Sequence, residues 1–311
     1  YESVKMRASG IDNAEGKQRI IIELYDKFFK TAFPKMVEKL GIVYTPVECV
    51  DFIIHSVNDI LKKEFGLAAG LADASKIEIT EEVQGKKKKV QVHKVQVLDP
   101  ATGTGTFLNE TILHIKRSFE GQEGRWSSYV NENLLPRLHG FELMMASYTI
   151  AHLKLSSTIR ESGAEIKNTR LGVYLTNSLE KGETIQQDLF HGLGLGKAIT
   201  DESIQANKVK NELPIMVVIG NPPYSGVSSN EMEYANSLVD KYKVEPGGKQ
   251  KLQERKHWLN DDYVKFIALA EDLIAKNQEG ILGFITNHGY LDNPTFRGMR
   301  WHLMDTFDSI Y

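Results

Sequence analysis

Val97-Leu-Asp-Pro-Ala-Thr-Gly-Thr-Gly-Thr-Phe-Leu108 is the stretch on which the fold turns. A short apolar strand, Val95 to Leu98, runs into Asp99, and a helix is expected from Thr106 to Arg117. Between them Gly103 and Gly105 permit a tight turn, so the backbone can approach a ligand at the strand's C-terminal edge. Outward from this unit, strand and helix take turns. Leu138 to Phe141 reads as a strand, Met145 to Ile159 as a helix and Leu171 to Leu175 as a strand. Ile215 to Ile219 reads as a buried strand, Tyr263 to Lys276 as a helix and Ile281 to Ile285 as a strand. Such alternation predicts an α/β fold, a mainly parallel sheet with helices on both faces.

Upstream, Lys76 to Thr80 and Lys89 to Leu98 alternate around Gln84-Gly85 and predict a β-hairpin feeding the first core strand. Tyr44-Thr-Pro46 opens a helix, with Thr45 as N-cap, Pro46 at the first helical position and Glu48 in the first turn. Its apolar side continues through Val50, Phe52, Ile53 and Ile54 to about Lys63. Residues 16 to 40 carry a broad apolar face (Ile20, Ile21, Leu24, Tyr25, Phe28 and Phe29) that Pro34 would interrupt, and read as a helical N-terminal arm. Two polar stretches, about 180 to 212 and 225 to 260, are expected to be functional loops because of their length. The start at Tyr1 and the strand-like Asp308-Ser-Ile-Tyr311 suggest a fragment of a longer protein, incomplete at its C-terminal end.

Composition narrows the functional classes. With 41% hydrophobic and 25% charged residues the chain has the make-up of an ordinary globular protein, and its longest apolar runs are too short to span a bilayer. A single cysteine, Cys49, excludes an internal disulfide or a multi-cysteine zinc site and fits a reducing, cytoplasmic setting. The nine histidines show no metal-ligand spacing, so no metal is expected. The net charge of −3 is unusual for a nucleic-acid binder, but it conceals two basic clusters. Lys86 to Lys89 is one; Lys241 to His257, with Tyr242 and Trp258, is the other. Either could contact phosphates, or be merely a solvated hairpin tip and a loop.

The glycine turn admits three readings. A triphosphate-binding loop needs a Gly-Lys-Ser/Thr end, and no lysine lies here. A nicotinamide-binding turn needs a third glycine, where this chain has Leu108. A turn for the methionine part of S-adenosylmethionine needs neither, because that ligand has no pyrophosphate, and Asp99 would offer a carboxylate to its ammonium. In Gly140-Phe-Glu-Leu143, Glu142 ends the next strand and either accepts two ribose hydroxyls or simply favours a helix start.

The strongest signal is Val217-Val-Ile-Gly-Asn-Pro-Pro-Tyr224. Two prolines stop the strand and hold Asn221 and the Pro222 carbonyl rigidly at the sheet edge, with Pro223 locking the turn. An amine conjugated to an aromatic ring is a poor nucleophile, since its lone pair is delocalised. Two oxygens accepting its N–H bonds would push it toward tetrahedral geometry and free that pair. Tyr224 could stack on an extruded base. The bland alternative is a stiff surface turn.

Together these residues resemble the amino-methyltransferase family of DNA adenine (N6) methylases, with the cofactor motif preceding the catalytic one as in the gamma arrangement. The resemblance implies a Rossmann-like S-adenosylmethionine-dependent methyltransferase fold over residues 41–311, with residues 1–40 as an arm. It implies cofactor contacts from Tyr44, Thr45, Pro46, Asp99, Pro100, Ala101, Thr102, Gly103, Gly105, Phe107, Glu142 and Asn177. The last lies in Leu175-Thr-Asn-Ser-Leu179, where the family usually has aspartate. It implies Asn221, Pro222, Pro223 and Tyr224 as the catalytic motif. Glu212-Leu-Pro-Ile-Met216 and Asn293-Pro-Thr-Phe-Arg-Gly-Met-Arg300 look like the methylase part of type ISP restriction–modification enzymes, which act on double-stranded DNA. Their nuclease, translocase and target-recognition regions would lie outside this chain. Glutamine methylases of proteins, guanine methylases of RNA and a non-catalytic cofactor-binding DNA-recognition module remain the alternatives.

Overall fold

A computed structural model describes residues 45–83, 86–167, 169–182, 194–224, 232–253 and 257–311. The expected arm over 1–40 and Tyr44 lie outside them. Among the described residues seven strands form two sheets. Lys76–Val83 (β1) and Lys86–His93 (β2) make an antiparallel ribbon in which Lys76 faces His93. Gln96–Asp99 (β3), Leu138–Glu142 (β4), Gly172–Leu175 (β5), Ile215–Gly220 (β6) and Ile281–Phe284 (β7) make a parallel sheet ordered β5-β4-β3-β6-β7.

The central strands are buried end to end in β3 and β6, as a parallel sheet covered on both faces requires. Successive side chains leave opposite faces and so join separate cores. Val97, Val173 and Val217 enter one, beneath Val47–Lys63 (α1), Thr106–Arg117 (α2), Glu123–Tyr129 (α3) and Met145–Glu161 (α4). Leu98, Tyr174 and Val218 enter the other. That face is closed by Gly194–Asn211 (α5), Glu233–Leu238 (α6), Asp262–Asn277 (α7) and Arg297–Thr306 (α8). The chain moves outward from β3 through β4 to β5, then returns to place β6 on the other side of β3. The strand order therefore reverses between β3 and β6, the place where open α/β sheets leave a crevice for ligands.

Four expectations need correction. The hairpin does not run into the core strand: β2 ends at His93, and the Gln96 side chain turns back to donate to the His93 carbonyl, so β3 starts in another sheet. Much of the stretch 180–212 is helix, because Ala206 and Val209, one turn apart, bury an apolar face that the surrounding polar residues obscure. The stretch 225–260 contains α6 and single helical turns at Asp240–Tyr242 and His257–Asn260. Asp308 to Tyr311 joins no strand, and Ile310 and Tyr311 are exposed. Among the described residues no helix is long and apolar enough to cross a membrane.

Candidate active site

The three strand ends that flank the crevice carry the residues singled out above. Asp99 ends β3, Glu142 ends β4, and Asn221 follows β6. The two motifs meet through Gly220: a Cβ there would lie 2.8 Å from Asp99 Oδ1. A side chain at 220 would thus displace the carboxylate, and only glycine lets β6 bring Asn221 alongside β3.

The turn after β3 is built around that carboxylate. Ala101 N donates to Asp99 Oδ1 at 3.0 Å, and Thr102 donates through Oγ1 to the Asp99 carbonyl and through its backbone N–H to the Phe141 carbonyl. Pro100 offers its carbonyl to the Ser178 hydroxyl. Gly103 donates to Glu142 Oε2 at 2.8 Å, while Met144 N donates to Oε1 at 2.7 Å, so Glu142 bridges the glycine turn and the start of α4. Gly105 caps α2 with φ +80°, a left-handed conformation, and its missing Cβ would press on Ala151 at 3.3 Å. Phe107 is part of the first core and supports the turn from below.

Burial pushes the Asp99 carboxyl up to about 8, reinforced by the neighbouring Glu142 charge, and burial pushes Glu142 up to about 7. Both oppose ionisation because burial strips water from the carboxylates, and the backbone N–H groups of Ala101, Gly103 and Met144 that donate to them offset this only in part. Such a pair favours a positively charged ligand, whose arrival would restore the ionised form.

Asn221 presents the chemically decisive feature. Its Nδ2 donates to Thr45 Oγ1 at 3.0 Å, while its Oδ1 is buried with no hydrogen-bond partner. A buried acceptor without a donor is costly and rare, and at the mouth of a crevice it marks where a donor is to bind. Pro222 is buried, Pro223 half-buried, and Tyr224 packs at the edge of the second core, which also takes in Phe284 and Tyr290. Thr45 was expected to cap α1; its side chain makes no cap bond, Pro46 stands at the cap position, and the hydroxyl serves Asn221 instead.

Asn177 lies just past β5, next to β4. Its Oδ1 accepts from Leu179 N and its amide donates to Glu180, closing its own turn. Sequence reading overlooked Lys210, on α5. Its ammonium donates to Thr176 Oγ1 and to the carbonyls of Asn177 and Glu180, and lies 5.4 Å from the centre of the Phe141 ring. Burial lowers it to about 8. It lay in a stretch taken for loop, which hid its role.

The basic clusters divide. In the hairpin, Lys89 pairs with Glu78, whereas Lys87 and Lys88 are exposed. In the second cluster Lys241 pairs with Glu271 and Asp272, and Lys243 with Asp240. Tyr242 is wholly buried and donates to Glu271 at 2.6 Å, so it cannot stack on a base. No group of three or more His, Cys, Asp or Glu among the described residues is placed to hold a metal ion.

Comparison with known proteins identifies a family and similar folds. The family model described as Eco57I restriction-modification methylase matches residues 137–308. Among solved structures, the ATP-dependent Type ISP restriction-modification enzyme LlaBIII bound to DNA is 34% identical, with a TM-score of 0.70 over 96% of this chain and 18% of that one. A nuclease-deletion mutant of the Type ISP enzyme LlaGI, in complex with a DNA substrate mimic, is 34% identical with a TM-score of 0.72 over 99% of this chain and 22% of that one. The DrdV–DNA complex is 29% identical, with a TM-score of 0.71, over 99% of this chain and 26% of that one. The chain therefore spans only about a fifth to a quarter of the length of these three structures. No curated protein sequence matches it.

Proposed function

The chain belongs to the Eco57I restriction-modification methylase family, and from that premise we propose that it transfers a methyl group from S-adenosylmethionine to the N6 amine of an adenine turned out of double-stranded DNA. The observation that carries the reading is the buried, unpartnered Asn221 Oδ1, one residue after the glycine that abuts the Asp99 carboxylate.

The residues present fit the donor. Asp99 would hold the ammonium of its methionine part, with Thr45, Pro46 and the turn Pro100 to Gly105 around it. Glu142 would accept the ribose hydroxyls, and the Asn177 turn would border the adenine. When bound, S-adenosylmethionine would supply an electrophilic sulfonium methyl to the nitrogen that these residues hold. Asn221 Oδ1 and the Pro222 carbonyl would accept the two N–H bonds of the target amine, localising its lone pair for in-line attack. Pro222 and Pro223 fix that pair of oxygens so that little reorganisation is needed. Tyr224 would stack on the base and offset the cost of unstacking it. The structural relatives in complex with DNA support a DNA substrate, and their greater length supports a role as the modification part of a larger restriction–modification enzyme.

The test is mass spectrometry of nucleosides from plasmid DNA made with the wild-type polypeptide and with Asn221→Ala. N6-methyladenine is expected from the first and none from the second, with donor affinity nearly unchanged in the variant. DNA without N6-methyladenine in both preparations contradicts the reading.

A further inference from the structure

The side chain of a primary amide has a donor end and an acceptor end, and a half-turn about its last bond exchanges them. Whichever end faces the substrate decides which substrate atom is tolerated. In Asn221 the donor end is committed to Thr45 Oγ1 at 3.0 Å, across 176 residues of chain, and the acceptor end is buried without a partner. The hydroxyl that accepts from Nδ2 belongs to a residue whose local sequence suits it to cap α1, a role it does not fill.

We infer that Thr45 is a positioning residue for the transfer: by accepting from Asn221 Nδ2, its hydroxyl satisfies the donor end of the amide in the orientation that offers Oδ1 to the substrate amine. A ring nitrogen or a carbonyl oxygen in the same place would meet oxygen lone pairs with no proton between. An exocyclic amine gives Oδ1 the donor it lacks. Were the amide to rotate, its NH₂ would face the amine, and the activation of the lone pair would be lost. The N-terminal Thr-Pro segment thus acts on the substrate side of the site as well as beside the donor. This rests on the reading that Asn221 receives the target amine, and adds to it the group that orients Asn221.

The experiment compares Thr45→Val, which keeps the shape and removes the hydroxyl, with Thr45→Ser, which keeps the hydroxyl. Both are made in the complete polypeptide and assayed for transfer of labelled methyl from S-adenosylmethionine to plasmid DNA. Thr45→Val is expected to lower kcat at saturating donor by about tenfold or more, the scale of one lost hydrogen bond, beyond any rise in donor KM, while KM for DNA stays within about twofold. Thr45→Ser is expected to retain most of the wild-type kcat, a rescue that a purely packing role would not give. If the wild type is active and Thr45→Val matches its kcat, or loses only donor KM, this inference fails and the functional reading stands. Equal impairment of both variants also overturns it, since the hydroxyl would then be irrelevant. A wild type that methylates no DNA removes the reading and the inference together.

Discussion

Asp99 and Glu142 are carboxyls kept from ionising by their surroundings, and this gives the free protein a pH dependence with a definite sign. Burial raises Asp99 from 3.8 to about 8, with Glu142 adding to it, and burial raises Glu142 from 4.5 to about 7. The folded state therefore binds more protons than the unfolded chain between these values, and stability from the two groups is fullest below pH 4 and declines as pH rises toward 8. A cationic donor reverses the preference, because it binds the ionised carboxylates. Its affinity is expected to rise with pH from 6 to about 8 and then level off, with protons released on binding. Calorimetric titration of S-adenosylmethionine in buffers of different ionisation enthalpy checks this, and a flat profile removes Asp99 and Glu142 from the donor site. Asp99 and Glu142 were legible in the sequence because each ends an apolar strand, but the protonation behaviour comes from burial that no local pattern encodes.

At the scale of elements, the unit β3–turn–α2 positions the whole site, and its turn depends on one backbone conformation. Gly105 sits at φ +80° with α4 packed against it through Ala151. Gly105→Ala is expected to cost about 1–2 kcal/mol, the left-handed penalty for a residue with a Cβ, plus whatever the contact with Ala151 adds. Chemical denaturation measures it, and an unchanged midpoint would mean that the turn relaxes to another conformation. The glycine spacing, the apolar strand and the helix start were all visible in the sequence. Helix α5 was not: among its described side chains Ala206 and Val209 are the buried apolar ones, and polar neighbours obscure them. Its Lys210 then holds the turn after β5 through three oxygens, a contact that only the tertiary arrangement creates.

Across the whole molecule, buried charges tie distant segments together. Arg137, 1% exposed, donates to the carbonyls of Leu71, Val95 and Asn133 and to the Tyr129 hydroxyl, joining the approach to the hairpin, the entry to β3 and α3. Arg137→Met would leave three buried carbonyls without donors and is expected to destabilise the fold by roughly 3 kcal/mol or more. Thermal and denaturant unfolding read this directly, and a loss below about 1 kcal/mol, the net worth of a single hydrogen bond, would show that water or neighbouring N–H groups take over. On the other face, Glu271 plays the same part, accepting from Tyr242 and Thr306 and pairing with Lys241 and His302. That hub gives Lys241 a structural part: its charge is used to link α7 with α8 and the turn before them.

The order of strands and helices, the glycine turn and the proline-locked motif were set by local chemistry: hydrophobic period, the glycine needed for left-handed backbone, and the inability of proline to continue a strand. Those effects act over a few residues, so the sequence alone determined them. Three features were decided by the tertiary structure. These are the reversal of strand order between β3 and β6, the approach of Gly220 to Asp99, and the grip of Thr45 on Asn221. Each joins residues more than a hundred positions apart, and such pairings depend on how the sheet closes and on which side chains it excludes from water.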